Sequence, residues 1–189
     1  MSVDKPEFFG IHRLFTQAYS DLVVFTVEKP FMVLIEQEAA YMHLMKYEMG
    51  EDPESNFKKA KGHIYRATLD RYKQLWVELR PTISEMDRFR EAYEGNESDL
   101  LSRLKEMGIT AEKARLNELE SVGQESIGLL ELWKEVIDQA MSIYRNINKS
   151  VLHKSKSKAR YSGTFSTYIY PIITGIIFLA AGFAIGKII

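Results

Sequence analysis

The chain has 189 residues, of which 46% are hydrophobic and 27% are charged, as expected for one globular domain with a short additional segment. Its formal net charge of -1 lacks the basic excess of proteins that bind nucleic acid phosphates, so no nucleic acid partner is expected. Because the chain contains no cysteine, disulfides, thiolate metal sites and a cysteine nucleophile are excluded.

Apolar residues recur at helical spacing along most of the chain, which predicts an all-α fold with a bundle of about four to six helices. A first helix is predicted over residues 7–26 and a second over 30–49, with Gly50 as a left-handed C-cap. The apolar region around this junction contains Glu28, Lys29 and Pro30. A charge pair at mid-bilayer is expensive, so two helices of the bundle are predicted here instead of a membrane span.

A third helix is predicted to begin after Asp52, which serves as an N-cap carboxylate, and to end before Pro81. One side of this helix is apolar, as in bundle helices that bury a single face. The residues predicted to be buried are Phe57, Ala60, Ile64, Thr68, Tyr72, Leu75 and Leu79.

The rest of the bundle is predicted as a short helix over 82–94, a brief helix over 98–107 ended by Gly108, and a long last helix capped by Thr110. The long helix carries an apolar seam with alternating steps of three and four residues, typical of coiled coils. The seam consists of Leu119, Val122, Ser126, Leu129, Trp133, Val136, Ala140, Ile143 and Ile147. Glycine at 123 and 128 costs about 1 kcal/mol per residue, which predicts a kink or break over 121–128.

Residues 168–189 form an apolar segment in which no charge occurs before Lys187. A bilayer core about 30 Å thick requires about 20 apolar helical residues, so this segment is predicted to be a single transmembrane helix. Gly182 and Gly186 form a GxxxG pattern, which with Gly175 predicts a face for self-association in the membrane.

A basic juxtamembrane linker over residues 151–167 is predicted to separate this anchor from the helical bundle over 1–150. Positively charged residues stay on the cytoplasmic side, so the N-terminus is predicted to be cytoplasmic and the C-terminus at the opposite face. The residues predicted to contact the membrane surface are Lys149, Lys154, Lys156, Lys158 and Arg160.

No catalytic, cofactor or metal signature is found: the four histidines form no Glu-x-x-His pairs, and glycine-rich phosphate loops are absent. One face of the third helix carries His63, Arg66, Asp70 and Lys73. A solvated face with helical ion pairs is the favoured interpretation, with acid–base chemistry as the alternative. Arg145 and His153 resemble the signature of small helical ribonucleases, but seven residues between them exceed that pattern.

The layout of seam helix, basic linker and terminal span is similar to that of SNARE fusion proteins. Leu129 and Trp133 stand where that family has a polar middle layer, so membership is not assigned. The leading hypothesis is a non-enzymatic, tail-anchored protein whose partners are the lipid bilayer and either another protein or a second copy. One variant is a membrane-disrupting effector of bacterial phage defence. The alternative is a membrane-tethered or ribonuclease-like enzyme using His63, Arg66 and Asp70.

Overall fold

A computed structural model describes residues 5–26, 31–121 and 124–164, and it confirms the predicted all-α class. In these ranges there is no β-strand, although Tyr93 and Ile147 form one antiparallel bridge. Two short 3-10 turns, Glu85–Asp87 and Arg90–Ala92, lie between the third and fourth helices. The helices of the described ranges are α1 (Lys5–Thr26), α2 (Phe31–Glu48), α3 (Pro53–Ser84), α4 (Glu97–Glu120), α5 (Ile127–Arg145) and α6 (Lys149–Thr164).

Helix α3 is the central element because its 32 residues pass through both hydrophobic clusters of the bundle. Its first half packs with α1 and α2, and its second half packs with α4, α5 and the segment after Ser84. All seven residues of the predicted apolar stripe are at most 8% exposed, from Phe57 to Leu79. The prediction of this buried face is therefore confirmed.

In the turn between α2 and α3, the prediction for Gly50 is confirmed and the prediction for Asp52 is wrong. Gly50 has a φ of +79°, which confirms the left-handed C-cap. Asp52 stands at the N-cap position, but its side chain makes no capping bond and its φ is 39°. The predicted carboxylate cap is wrong because a capping side chain requires an extended backbone. Instead, the Asp52 backbone carbonyl accepts a hydrogen bond from the backbone N–H of Asn56, with 3.0 Å between oxygen and nitrogen.

Helix α3 continues through Pro81 and ends at Ser84, so the predicted stop at Pro81 is wrong. Proline removes one helical hydrogen bond. Continuing the helix buries Ile83 at 1% exposure, and Met86 follows at 0%, which offsets that loss by about 1.5–3 kcal/mol per side chain. The predicted helix over 82–94 is replaced by the two 3-10 turns, which lead the chain to the Tyr93–Ile147 bridge.

The predicted boundary between a brief helix over 98–107 and the long last helix is wrong: both contribute to one helix, α4, and the rest of the long helix is α5. Helix α4 passes through Gly108 without a break, and the Thr110 hydroxyl donates to the Glu106 carbonyl inside it. Burial of Met107 and Ala114 against the core offsets the cost of the glycine. The predicted break is confirmed, since α4 ends at Glu120 and α5 begins at Ile127.

Helix α5 forms the centre of the larger cluster and confirms most of the predicted seam. Its seam residues are at most 6% exposed from Leu129 to Ile143, and Ile147 beyond it is 7% exposed. Leu119 is 62% exposed, so its place in the seam is wrong. The reason is the break: Leu119 belongs to α4 and does not share the buried face of α5. Val122 lies outside the described residues.

Helix α6 occupies the segment predicted as a basic linker as far as Thr164. Leu152 anchors it in the larger cluster, and Lys156 forms an ion pair with Glu85. Of the helices in the described ranges, none combines the length and apolarity needed to cross a bilayer. The predicted transmembrane segment, with Gly175, Gly182 and Gly186, lies outside the described residues.

Candidate functional site

The polar face predicted on α3 meets a carboxylate from α2. Glu36 Oε2 lies 2.8 Å from His63 Nδ1 and 3.4 Å from an Arg66 guanidinium nitrogen. Arg66 also lies 3.0 Å from His63 Nδ1. These three side chains therefore form one ionic cluster that joins α2 to α3.

The hydrogen bonds of this cluster follow from the shorter contact. Nδ1 of His63 cannot donate to Glu36 and accept from Arg66 at the same time. Since the carboxylate is the stronger acceptor and lies nearer, the imidazole donates through Nδ1 to Glu36. Arg66 then supports the same carboxylate with its charge. The side chains of His63 and Glu36 are 21% and 31% exposed and that of Arg66 is 53% exposed, so water screens the cluster.

A second histidine extends the cluster towards the turn between α2 and α3. The ring of His43 stacks on that of His63 with 5.4 Å between centroids. His43 Nδ1 lies 2.8 Å from the amide oxygen of the buried Asn56, and the Asn56 amide nitrogen donates to the Glu51 carbonyl. Asn56 thereby provides a hydrogen-bond donor for the Glu51 carbonyl and links the turn to His43 of α2.

The other two residues of the predicted face form no ion pair with the cluster, although the charges of Glu36 and Arg66 act on Asp70. Lys73 forms an ion pair with Glu118 of α4. Asp70 is exposed, and partial desolvation raises its pKa above the usual range, opposed by the nearby charge of Lys73. Of the four residues, only His63 and Arg66 share an ion-pair partner, Glu36.

This arrangement has the properties of a structural clasp. A histidine paired with a carboxylate is also found in catalytic triads, where it activates a neighbouring nucleophile, but no nucleophile is bonded to His63 among the described residues. In the same ranges, no group of three His, Asp or Glu side chains is arranged to hold a metal ion. The polar groups of His63, Arg66 and Glu36 bind each other and thereby join α2 to α3.

Replacing His63 with alanine should lower the free energy of unfolding by no more than about 1 kcal/mol, because the pair is partly exposed. Thermal unfolding of the full chain, followed by circular dichroism, measures this change. Glu36→Gln is the matched control, since it removes the same ion pair from the other side. Loss of cellular function by a His63→Ala variant that folds normally would contradict the structural role and support the enzyme alternative.

The residues predicted to contact the membrane differ in how exposed their side chains are on α6. Lys149, Lys154 and Lys158 are exposed, whereas Lys156 is occupied by its ion pair with Glu85. Lys149 also lies over the Tyr144 ring at 5.0 Å. The side chain of Arg160 lies outside the described part of the chain.

A buried arginine at the centre of the bundle was not predicted from the sequence. Arg71 is 0% exposed, and its Cζ lies 4.0 Å from the ring centroid of Tyr19 and 4.7 Å from that of Phe15. None of its three guanidinium nitrogens has a hydrogen-bond partner among the described residues. The available signal was its position, seven residues after Ile64 and four before Leu75 on the predicted buried stripe.

Comparison with protein-family models, with curated proteins and with solved structures gives no match for this chain.

Proposed function

We propose that this chain is a membrane-anchored interaction protein. Residues 168–189 cross the bilayer once, and the helical bundle on the cytoplasmic side binds a protein partner or a second copy. The observation that carries the proposal is the basic sequence of α6 and its closeness to the apolar segment. Helix α6 has five Lys or Arg residues and no acidic residue. It ends at Thr164, four residues before the apolar segment begins.

The charge of α6 supports cytoplasmic placement of the bundle. Basic residues within about 15–20 residues of a span favour the cytoplasmic side. Each exposed lysine near an anionic leaflet contributes about 1 kcal/mol of attraction. Lys149, Lys154 and Lys158 are exposed for such contact, whereas Lys156 is held by Glu85. The apolar segment itself contains one charged side chain, Lys187, near its other end.

The bundle supports binding to a protein better than it supports chemistry. The polar residues that best resembled a site, His63 and Arg66, are engaged with Glu36 between two helices. Large apolar side chains are exposed on α2 and α4, among them Phe31 at 72% and Ile109 at 59%. Exposed apolar surface of this kind is typical of interaction sites.

Topology can be tested directly because the chain contains no cysteine, so each introduced cysteine is unique. Lys113→Cys places a thiol on the exposed surface of α4, and Ile189→Cys places one at the far end of the apolar segment. In sealed inside-out vesicles, which expose the cytoplasmic face, a membrane-impermeant maleimide should label Lys113→Cys alone. In right-side-out vesicles, Ile189→Cys alone should be labelled.

Two results would contradict the proposed topology. Labelling of both cysteines from the same face would exclude a single crossing. Full-length protein that stays in the aqueous phase during liposome flotation would exclude the anchor itself. Detergent permeabilisation, which should make both thiols reactive, is the control for access.

The effector version makes a separate prediction. If clustering of the bundle gathers spans into a pore, liposomes that contain the full chain should release a trapped dye when the bundles are crosslinked. Liposomes that stay sealed under these conditions would support the version in which the segment only anchors the protein. Replacing Gly182 and Gly186 with isoleucine is the matched variant, since it blocks close approach of the spans and keeps their apolarity.

A further inference from the structure

Helix α2 exposes a row of large apolar side chains on the side away from the bundle. Phe31, at the start of α2, is 72% exposed, and Met49, in the turn directly after α2, is 69% exposed; they are the two ends of the row. Between them lie Ile35, Met42 and Met45, at 43%, 52% and 56%. A row of this size exposed to water is typical of an interaction surface.

The row has the spacing of a coiled-coil seam. We call it the α2 seam; its six residues, separated by four, three, four, three and four positions, are Phe31, Ile35, Glu38, Met42, Met45 and Met49. This alternation keeps a row on one face of a helix that packs along another helix. Val33 and Ala40, which α2 buries in its own bundle, lie on the opposite side.

We propose that the α2 seam pairs with the α2 seam of a second copy of this chain, with the two helices antiparallel. The proposal rests on the proposed function, in which the bundle mediates association, and it assigns that role to one surface. Pairing centred on position 40 places Ile35 opposite Met45 of the second copy and Glu38 opposite Met42 of the second copy. The seam is about 27 Å long at 1.5 Å per residue.

The charged residue in the seam determines the direction of pairing. In a parallel pair, Glu38 would face Glu38 of the second copy across the seam, and the two carboxylates would repel each other. In the antiparallel pair they are separated by four residues along the axis, about 6 Å. Lys46, which is exposed, leans towards the N-terminus of its helix and thus towards Glu38 of the second copy. The antiparallel seam is therefore complementary in charge.

The charge of α2 argues against a lipid surface as the occupant. Helices that lie on anionic membranes carry lysine and arginine on their polar face. Helix α2 carries Glu36, Glu38 and Glu48 against Lys46 as its basic residue, so an anionic leaflet would repel it. A second copy presents its own Lys46 to Glu38, whereas the leaflet presents further negative charge.

The absence of cysteine also permits a direct test by disulfide crosslinking of the full chain in non-ionic detergent. Ile35→Cys combined with Met45→Cys should give a covalent dimer on oxidation with copper phenanthroline, since each pair of opposed positions occurs twice. The two thiols of one chain are about 15 Å apart along the helix and cannot bond to each other. Ile35→Cys alone and the exposed control Val77→Cys, on α3, should give no covalent dimer.

Substitution of charges tests the same pairing without a disulfide. Lys46→Glu should weaken dimerisation about fivefold through two lost pairs, and adding Glu38→Lys should restore it. Met42→Glu should abolish the dimer. Circular dichroism establishes that each variant is folded, and analytical ultracentrifugation measures the dimer fraction.

Three results would overturn the antiparallel seam: a crosslink yield no higher than that of Val77→Cys, efficient crosslinking of Ile35→Cys alone, or dimerisation unchanged by Met42→Glu. A dimer that disappears when Gly182 and Gly186 become isoleucine would also overturn it, since association would then belong to the apolar segment. Cysteine labelling across the membrane reports on the anchor separately, so the two proposals fail by different measurements.

Discussion

Replacing Arg71 with methionine is expected to raise the free energy of unfolding by about 1–3 kcal/mol, although Arg71 is at the centre of the bundle. The guanidinium is 0% exposed, and none of its nitrogens is hydrogen bonded among the described residues. Burial lowers the pKa of Arg71 to about 10, which reflects the free energy lost on removing the charge from water. Methionine fills a similar volume without that loss.

The stacked rings determine what other substitutions do at this position. Tyr19 and Phe15 lie against the guanidinium at 4.0 and 4.7 Å, and cation–π contacts of this kind contribute about 2 kcal/mol when desolvated. Lysine keeps the charge but loses the planar stack and is more strongly hydrated. Arg71→Lys is therefore expected to lower the free energy of unfolding by about 2 kcal/mol.

The same comparison can be made as a function of pH. In the unfolded chain the guanidinium keeps its ordinary, higher pKa, whereas in the folded chain burial lowers the pKa of Arg71 to about 10. Between these values the unfolded chain binds more protons, so the contribution of Arg71 to stability rises with pH. The advantage of Arg71→Met over the native chain should therefore shrink above pH 10.

Chemical denaturation of the full chain in non-ionic detergent measures these differences, with Tyr19→Phe as a control that keeps the ring. A methionine variant less stable than the native chain would show that the cation–π stack on Tyr19 and Phe15 outweighs the cost of burying the charge. Equal stability of the lysine variant would show that the stack contributes little. The two substitutions thus test charge burial and stacking separately.

The buried faces of the long helices could be predicted because the spacing of apolar residues alone determines which face is buried. An apolar row at helical spacing has to be buried, and α3 and α5 bury the rows that run through Ile64 and Trp133. Local signals predicted helix ends less well. Pro81 and Gly108 are both inside helices, because burial of neighbours such as Ile83 and Met107 outweighs a penalty of about 1–3 kcal/mol.

The polar cluster could be predicted only in part, since its partners come from a different helix. His63 and Arg66 are one turn apart in sequence, but the pairing with Glu36 depends on how α2 lies against α3. The spacing of residues within α3 therefore cannot predict the pairing with Glu36. Arg71 was missed for a related reason: charged residues are rarely buried alone, and its surroundings of Tyr19 and Phe15 are formed by α1.

Two lysines at the middle of the apolar segment, Phe178→Lys with Leu179→Lys, should abolish membrane insertion. Each replacement exchanges a residue that favours insertion for one that opposes it by about 2.5–3.5 kcal/mol at the centre of a span. Together they shift the insertion free energy by about 6–8 kcal/mol. The fraction of full-length protein that floats with liposomes and resists an alkaline carbonate wash measures the effect.

The matched control exchanges the same two residues, Phe178→Leu with Leu179→Phe, so composition and apolarity stay constant and insertion should be unchanged. If the lysine variant still floated and resisted the wash, residues 168–189 would not be held by lipid. If it instead stayed in solution with an unfolded bundle, as measured by circular dichroism, the segment would belong to the interior of the protein. A soluble variant with an intact bundle is the result expected for an anchor, because lysines in a segment that contacts only lipid leave the two hydrophobic clusters around α3 unchanged.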